Sequence, residues 1–239
     1  ISHPTKLGTA HPPLKPICSD KAPHRPLKRF SFRRDTAFQL ALRLTMRHIV
    51  ATLAVVALLF SAGSAWADFD DGVEAYNRGD YATAFQEFRP LAEQGDAKAQ
   101  FNLGFMYDNG KGVPENDAEA AKWHRKAAEQ GDVMAQYSLG GMYFRGEGVS
   151  QNFTEAVKWF RKAAEQGDAY AQVNLGFMYG TGEGVPMNYV KAYMWYSLAK
   201  AQGNEDAAKG LYIIEKEMTP AEITKAQALA DEWWEKHNN

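Results

Sequence analysis

The sequence predicts an all-α protein: a right-handed α-α superhelix (solenoid) of 36-residue helix-turn-helix repeats, closed by terminal capping helices. Three observations predict it. Gly-Asp opens a block at Gly95, Gly131 and Gly167, and Gly203-Asn204 opens a fourth at the same spacing of 36. Sixteen of the 36 positions are identical in all three full blocks, so one structural unit is being repeated. Within each block the apolar residues fall at helical spacing in two runs, punctuated by glycine and proline.

Ahead of the repeats lies a segment of opposite character. Residues 1–67 hold 10 Lys+Arg and 2 Asp+Glu, a charge of +8, whereas residues 68–239 hold 17 and 27, a charge of −10; the two sum to the −2 of the whole chain. Residues 46–67 read as a signal peptide. Met46-Arg47-His48 is a positive start, Ile49 to Phe60 an apolar run, and Ala65-Trp66-Ala67 a small-x-small cleavage pattern that would leave Asp68 first. The rival is an uncleaved anchor, but twelve helical residues reach only about 18 Å of a hydrocarbon core of about 30 Å. The expectation is therefore a periplasmic or secreted protein with no membrane attachment after cleavage. Residues 1–45 have no helical or strand period and read as an upstream or disordered basic leader, with Met46 the true start. A nucleic-acid-binding arm is the alternative, and it fits poorly ahead of a secretion signal. Cys18, the only cysteine, lies in this leader, so internal disulfides and four-thiolate metal sites are excluded.

Residues 68–94 form an N-terminal helix pair. Ala75-Tyr76 precede the turn Asn77-Arg78-Gly79-Asp80, and Tyr81, Ala84 and Phe88 follow it; Pro90 is expected to kink the second helix. Three repeats follow at 95–130, 131–166 and 167–202. In the first, Ala99, Leu103 and Tyr107 make one stripe on a helix of about 14 residues. Gly110-Lys111-Gly112-Val113-Pro114 ends it, and Asn116 or Asp117 caps a second helix striped by Ala120, Trp123 and Ala127. Gly131 closes that helix as a left-handed C-cap.

Gly104, Gly140 and Gly176 recur inside the first helices, although a mid-helix glycine costs about 1 kcal/mol. Their recurrence predicts a close approach of two backbones. Trp123, Trp159 and Trp195 recur on the second helices and read as core rather than as sugar-stacking platforms. Burying about 200 Å² each at about 25 cal/mol/Å² contributes roughly 5 kcal/mol apiece as an upper bound. Residues 203–239 depart from the repeat. Ala207, Leu211 and Ile214 continue one helix, Thr219-Pro220-Ala221-Glu222 forms a capping box, and Ile223, Ala226, Ala230 and Trp233 stripe a last helix covering the stack's end.

The pattern Ala-Gln-x-x-Leu-Gly-x-Met-Tyr-x-x-Gly-x-Gly-Val, followed by Ala-x-x-Trp and Ala-Ala-Glu-Gln-Gly, resembles the SEL-one-like repeat (SLR) family, 36-residue relatives of the tetratricopeptide repeat. The resemblance covers Gly95 to Gln202, and residues 72–94 look like a tetratricopeptide-style opening pair. It implies an adaptor that assembles protein complexes, often envelope or signalling complexes in bacteria. Some cysteine-rich relatives are linked to penicillin binding and β-lactam hydrolysis, but their paired cysteines are missing here.

Catalytic chemistry is hard to place. His124 and His237 are the only histidines after residue 67, with no His-Glu-x-x-His spacing, and His124 reads as a partly exposed surface residue. Ser138, Ser150 and Ser197 lie in no nucleophile elbow, and the Gly-x-Gly loops lack a phosphate-loop ending. Arg78-Gly79-Asp80 is the expected helix-helix turn, the sequon Asn152-Phe153-Thr154 occupies a loop slot that Asn116 and Asn188 fill without a sequon, and the calcium-loop-like Asp68-Phe69-Asp70-Asp71-Gly72 has its glycine one place early and lacks the closing Glu. No catalytic, cofactor or metal residues are assigned, and a charge of −10 disfavours nucleic acid.

Surface remains. Block positions 4, 8, 11 and 15 share one face of the first helix and vary while the frame does not. In order they are Lys98, Asn102, Phe105 and Asn109; Met134, Ser138, Gly141 and Arg145; and Tyr170, Asn174, Phe177 and Thr181. Large apolar groups there point to a binding surface on the concave face. The alternative is that they pack against neighbouring repeats. The expectation is an exported, non-enzymatic scaffold for a protein or peptide partner, with self-association as a further mode. A cell-envelope enzyme or glycan-binding protein, related to peptidoglycan or exopolysaccharide, is the second reading.

Overall fold

The computed structural model describes residues 68–238; the expectations for the 1–45 leader, for Cys18 and for the 46–67 signal lie outside the described residues. The helices are α1 (Phe69–Asn77), α2 (Tyr81–Glu93), α3 (Ala97–Asp108), α4 (Asp117–Glu129), α5 (Val133–Arg145), α6 (Phe153–Glu165), α7 (Ala169–Thr181), α8 (Tyr189–Ala201), α9 (Glu205–Ile214) and α10 (Pro220–Asn238), with a 3-10 turn at Glu215–Glu217. No strand occurs among the described residues, and none of these helices is long and apolar enough to cross a membrane. Helices pair in order, α1 with α2 through α7 with α8, and each pair packs on the next. This is the all-α solenoid of helical hairpins that the 36-residue period implied. Helix α2 runs through Pro90 to Glu93 unbroken.

The Gly-Asp dipeptide is two caps side by side. Gly131 has φ +98°, donates to the Ala128 carbonyl, and lets the Asp132 amide reach the Ala127 carbonyl, which closes α4 in a Schellman motif. Asp132 then accepts from the Ala135 amide at 2.8 Å and opens α5. Asp96 and Asp168 start α3 and α7 in the same way. Between the helices of each pair, Asn116, Asn152 and Asn188 cap α4, α6 and α8. Their own amides donate to the carbonyls of Tyr107, Tyr143 and Tyr179, so the hairpin loop is hydrogen-bonded at its base. The sequon at Asn152 and the acidic run at Asp68 are likewise helix starts, Asp68 accepting from the Asp70 amide.

Trp123, Trp159 and Trp195 are 5–7 % exposed and form the core, as their recurrence implied. Lys126 and Lys162 lie over the Trp123 and Trp159 rings at 3.9 and 4.2 Å, so the aliphatic stems and charges of surface lysines cover the outer ring faces.

The recurrent mid-helix glycines serve a different contact from the expected backbone approach. A Cβ at Gly104, Gly140 or Gly176 would sit 2.9, 2.7 and 2.7 Å from the rings of His124, Phe160 and Tyr196 respectively. Each glycine is a seat for a ring from the second helix of its own pair. Gly72 seats Phe88 in the same manner, with a Cβ 2.6 Å from that ring. The second loop glycine joins neighbouring pairs instead. Gly148 has φ +64°, and a Cβ there would collide with the Asp117 carbonyl at the start of α4.

The seat overturns the surface reading of His124. It is 1 % exposed, packs against Phe101 at 5.5 Å, and neither ring nitrogen has a hydrogen-bond partner. Burial pulls its pKa down to about 4, so the ring is neutral.

A polar ladder crosses the apolar core. Gln100, Gln136 and Gln172 are buried and donate to the carbonyls of Ala92, Ala128 and Ala164 in the preceding helix. Each side-chain oxygen accepts from a glutamine 30 residues on, Gln130, Gln166 and Gln202. One invariant side chain therefore ties its own pair together at the end of the second helix and binds that pair to the helix before it. Satisfying both ends makes a buried amide tolerable and fixes the stacking register.

Candidate functional site: the first-helix face

The variable face is carried by α3, α5 and α7. Helical spacing brings Lys98, Asn102, Phe105 and Asn109 to one side of α3, and the three helices are successive first members of their pairs. Phe105, Met134, Tyr170 and Phe177 are 38, 52, 63 and 40 % exposed, so the repeats do not bury them. Lys98, Asn109, Arg145 and Thr181 are exposed; Asn102, Ser138 and Asn174 are half-buried. Gly141 is buried, because Arg145 folds back over it, with Nη1 3.0 Å from where a Cβ would be.

The asparagines and threonine turn inward on their own helices. Asn102, Asn109 and Asn174 donate to the carbonyls of Lys98, Phe105 and Tyr170, and the Thr181 hydroxyl to that of Phe177. The aromatic rings contact one another along the face. Phe105 meets Tyr76 edge-on at 6.3 Å, Tyr170 tilts onto Tyr137 at 6.1 Å, and Phe177 meets Phe144 edge-on at 6.1 Å. These contacts lie between successive first helices, so the rings share a neighbour while leaving one side open.

A groove of about 250 Å³ opens among these helices. It gathers Phe105, Ser138, Arg145 and Asn174 from the variable stripe. It also includes Asp108, Tyr137 and Phe144, which the stripe omitted. Tyr137 is at block position 7 and Asp108 and Phe144 at position 14, adjacent helical rows that border the same groove. Met134, Tyr170, Phe177, Lys98, Asn102 and Asn109 are not among the groove's lining residues. Burial pushes the Tyr137 hydroxyl above its ordinary value, so it is a neutral phenol. Arg145 makes a 2.6 Å ion pair with Glu147.

Two other hollows lie toward the C-terminal end. One of about 230 Å³ is bounded by Phe177, Tyr189, Tyr196 and Ile213. The other, of about 430 Å³, lies between the Glu165-Gln166-Gly167 turn and Trp233, Trp234 and His237 of α10. Among the described residues no three His, Cys, Asp or Glu side chains are grouped to hold a metal ion.

The repeat frame is similar to that of known proteins. The Sel1 repeat family matches residues 97–132, 133–168 and 169–204. A crystal structure of a Sel1 repeat protein from Oxalobacter formigenes is 34 % identical, with 71 % of this chain and 70 % of that one covered and a TM-score of 0.60. The protective antigen c5321 of uropathogenic Escherichia coli, which displays an SLR fold, is 28 % identical over 75 % of this chain and 48 % of that one, with a TM-score of 0.50. DAP3-binding cell death enhancer 1 of Mus musculus is 29 % identical over 115 residues, 48 % of this chain; the match spans only 18 % of that relative's length. The matched repeats and the likeness to the Oxalobacter structure agree, and the chain belongs to the Sel1 repeat family.

Proposed function

We propose that this chain is an exported, non-enzymatic scaffold that holds a protein or peptide partner on the face formed by α3, α5 and α7. Sel1 repeat proteins are protein-interaction scaffolds, and the mouse relative is named for binding a protein. One observation carries the choice of surface. Phe105, Met134, Tyr170 and Phe177 stay exposed on one face across three successive repeats, at positions where the frame needs no apolar group. Aromatic anchors of this kind supply much of the energy of protein interfaces. Export rests on the Met46 to Ala67 pattern.

The test begins with a partner captured from envelope extract, purified and titrated against the chain. Phe105→Ala and Tyr170→Ala are expected to weaken binding about thirtyfold, the equivalent of about 2 kcal/mol, with unchanged helical melting. Unchanged affinity moves the site off this face; reduced melting makes the rings core. N-terminal sequencing of the exported form is expected to begin Asp68-Phe69, and an intact Met46 there overturns the cleavage.

A further inference from the structure

Within the groove among α3, α5 and α7, one charge has no partner. Asp108 stands in the last turn of α3, where no basic residue accompanies it. It is half-buried and makes no side-chain hydrogen bond or ion pair among the described residues. The nearby cation is already engaged, since Arg145 pairs with Glu147. The last turn of a helix is the negative end of its dipole, so the site is electrostatically adverse for a carboxylate. Burial first, then the charges of Asp117 and Glu147, hold the Asp108 carboxyl above its ordinary range, with Arg145 acting the other way.

The repeat itself does not ask for this carboxylate. The same block position is Phe144 in the second repeat and Gly180 in the third. Asp108 is thus particular to the first repeat, and it faces a groove walled by Phe105, Tyr137 and Phe144. An acid lining a groove beside aromatic rings is complementary to one class of side chain. A lysine or arginine would neutralise the carboxylate, and its aliphatic stem would lie against the rings. The groove's volume of about 250 Å³ suits one such side chain with part of a neighbour.

Resting on the docking face proposed above, we infer that this groove takes a lysine or arginine side chain flanked by apolar residues of a partner protein, with Asp108 as its counter-ion. The excess acid of residues 68–239, at −10, favours approach of such a segment. Asp108 is the specificity-determining residue, and Phe105 contributes affinity without charge preference.

Four end-blocked, fluorescein-labelled octapeptides test this on the full chain, identical except for a central Arg, Lys, Gln or Glu between Leu and Phe. The Arg and Lys peptides are expected to bind at least about tenfold tighter than the Gln peptide, the Glu peptide most weakly, with the preference shrinking as salt rises. Asp108→Asn is expected to bring the Arg-to-Gln ratio to about one with unchanged melting, and Asp108→Glu to retain a preference. Equal binding of all four peptides, no binding of the Arg peptide, or a preference that survives Asp108→Asn overturns the inference. If the four bind alike and Phe105→Ala weakens them alike, the cation preference fails while docking on this face stands. If Phe105→Ala changes no affinity, the docking face itself fails.

Discussion

The first and second repeats share a backbone frame and differ at one seat. In the second, Phe160 lies on Gly140; in the first, His124 lies on Gly104 at nearly the same closeness. Both rings are buried, at 2 % and 1 % exposure. The phenyl ring has no polar atom to satisfy, whereas the imidazole buries two nitrogens without partners. The third repeat seats Tyr196, whose hydroxyl burial pushes up to about 12. The fold therefore asks this position for a flat ring of a certain size and is indifferent to its chemistry. The chemistry then sets how each repeat responds to pH.

Breaking what the repeats have in common has the largest effect. Trp159→Ala is expected to cost about 3–5 kcal/mol in a denaturant melt, the range for truncating a buried aromatic. A loss below about 1 kcal/mol would mean that the tryptophan frame is not the core.

The His124 seat sharpens the contrast through pH. Its folded pKa of about 4 lies below the ordinary 6.5, so the unfolded chain takes up the proton first. The stability that the neutral ring retains at pH 7 is lost as pH falls from about 6.5 to about 4, and the loss levels off below that. Its full extent is about 3 kcal/mol. His124→Phe is expected to remove that increment of acid sensitivity and to raise stability at neutral pH, measured by melts at pH 4 and 7. An unchanged pH profile would show that the histidine is not titrating in the core.

The glycine half of the seat is subtler. Gly140→Ala gains about 1 kcal/mol of helix propensity but pushes a methyl into Phe160, an overpacking of about 1–3 kcal/mol. The expected net loss is about 1 kcal/mol, read as a lower Tm. A Tm that rises instead would show that the ring moves aside freely. Smallest is the effect of the face outside the frame. Phe105→Ala is expected to change stability by less than about 1 kcal/mol, because the ring is 38 % exposed, and a larger loss by the same melt would place it in the core.

Much of the architecture is legible in the sequence itself. A 36-residue period, two apolar stripes per block, and glycine, asparagine and proline punctuation are local properties of the chain, and local hydrogen bonding enforces them. The tryptophan core and the Thr219–Glu222 capping box, with its reciprocal bonds of 3.3 and 2.8 Å, followed from spacing alone, while the cap narrowed to Asn116 or Asp117 and the Glu119 amide selects Asn116. The variable stripe was also readable, since Phe105, Met134, Tyr170 and Phe177 were apolar where the frame was free to change.

Tertiary contact decided the rest. The role of the mid-helix glycines depends on which partner atom lies opposite, a ring rather than a backbone, and sequence spacing holds no such distance. The glutamine ladder joins residues 30 apart within a pair and reaches a carbonyl of the preceding pair, so an invariant glutamine reads as a polar surface residue until the pairs are stacked. His124 read as surface because polarity predicts exposure on average, whereas packing between Gly104 and Phe101 rewards ring shape. The groove draws Asp108, Tyr137 and Phe144 from rows that a single-helix stripe does not contain. Periodicity orders residues along one helix, but a binding surface is made where three helices meet, and that meeting is a property of packing.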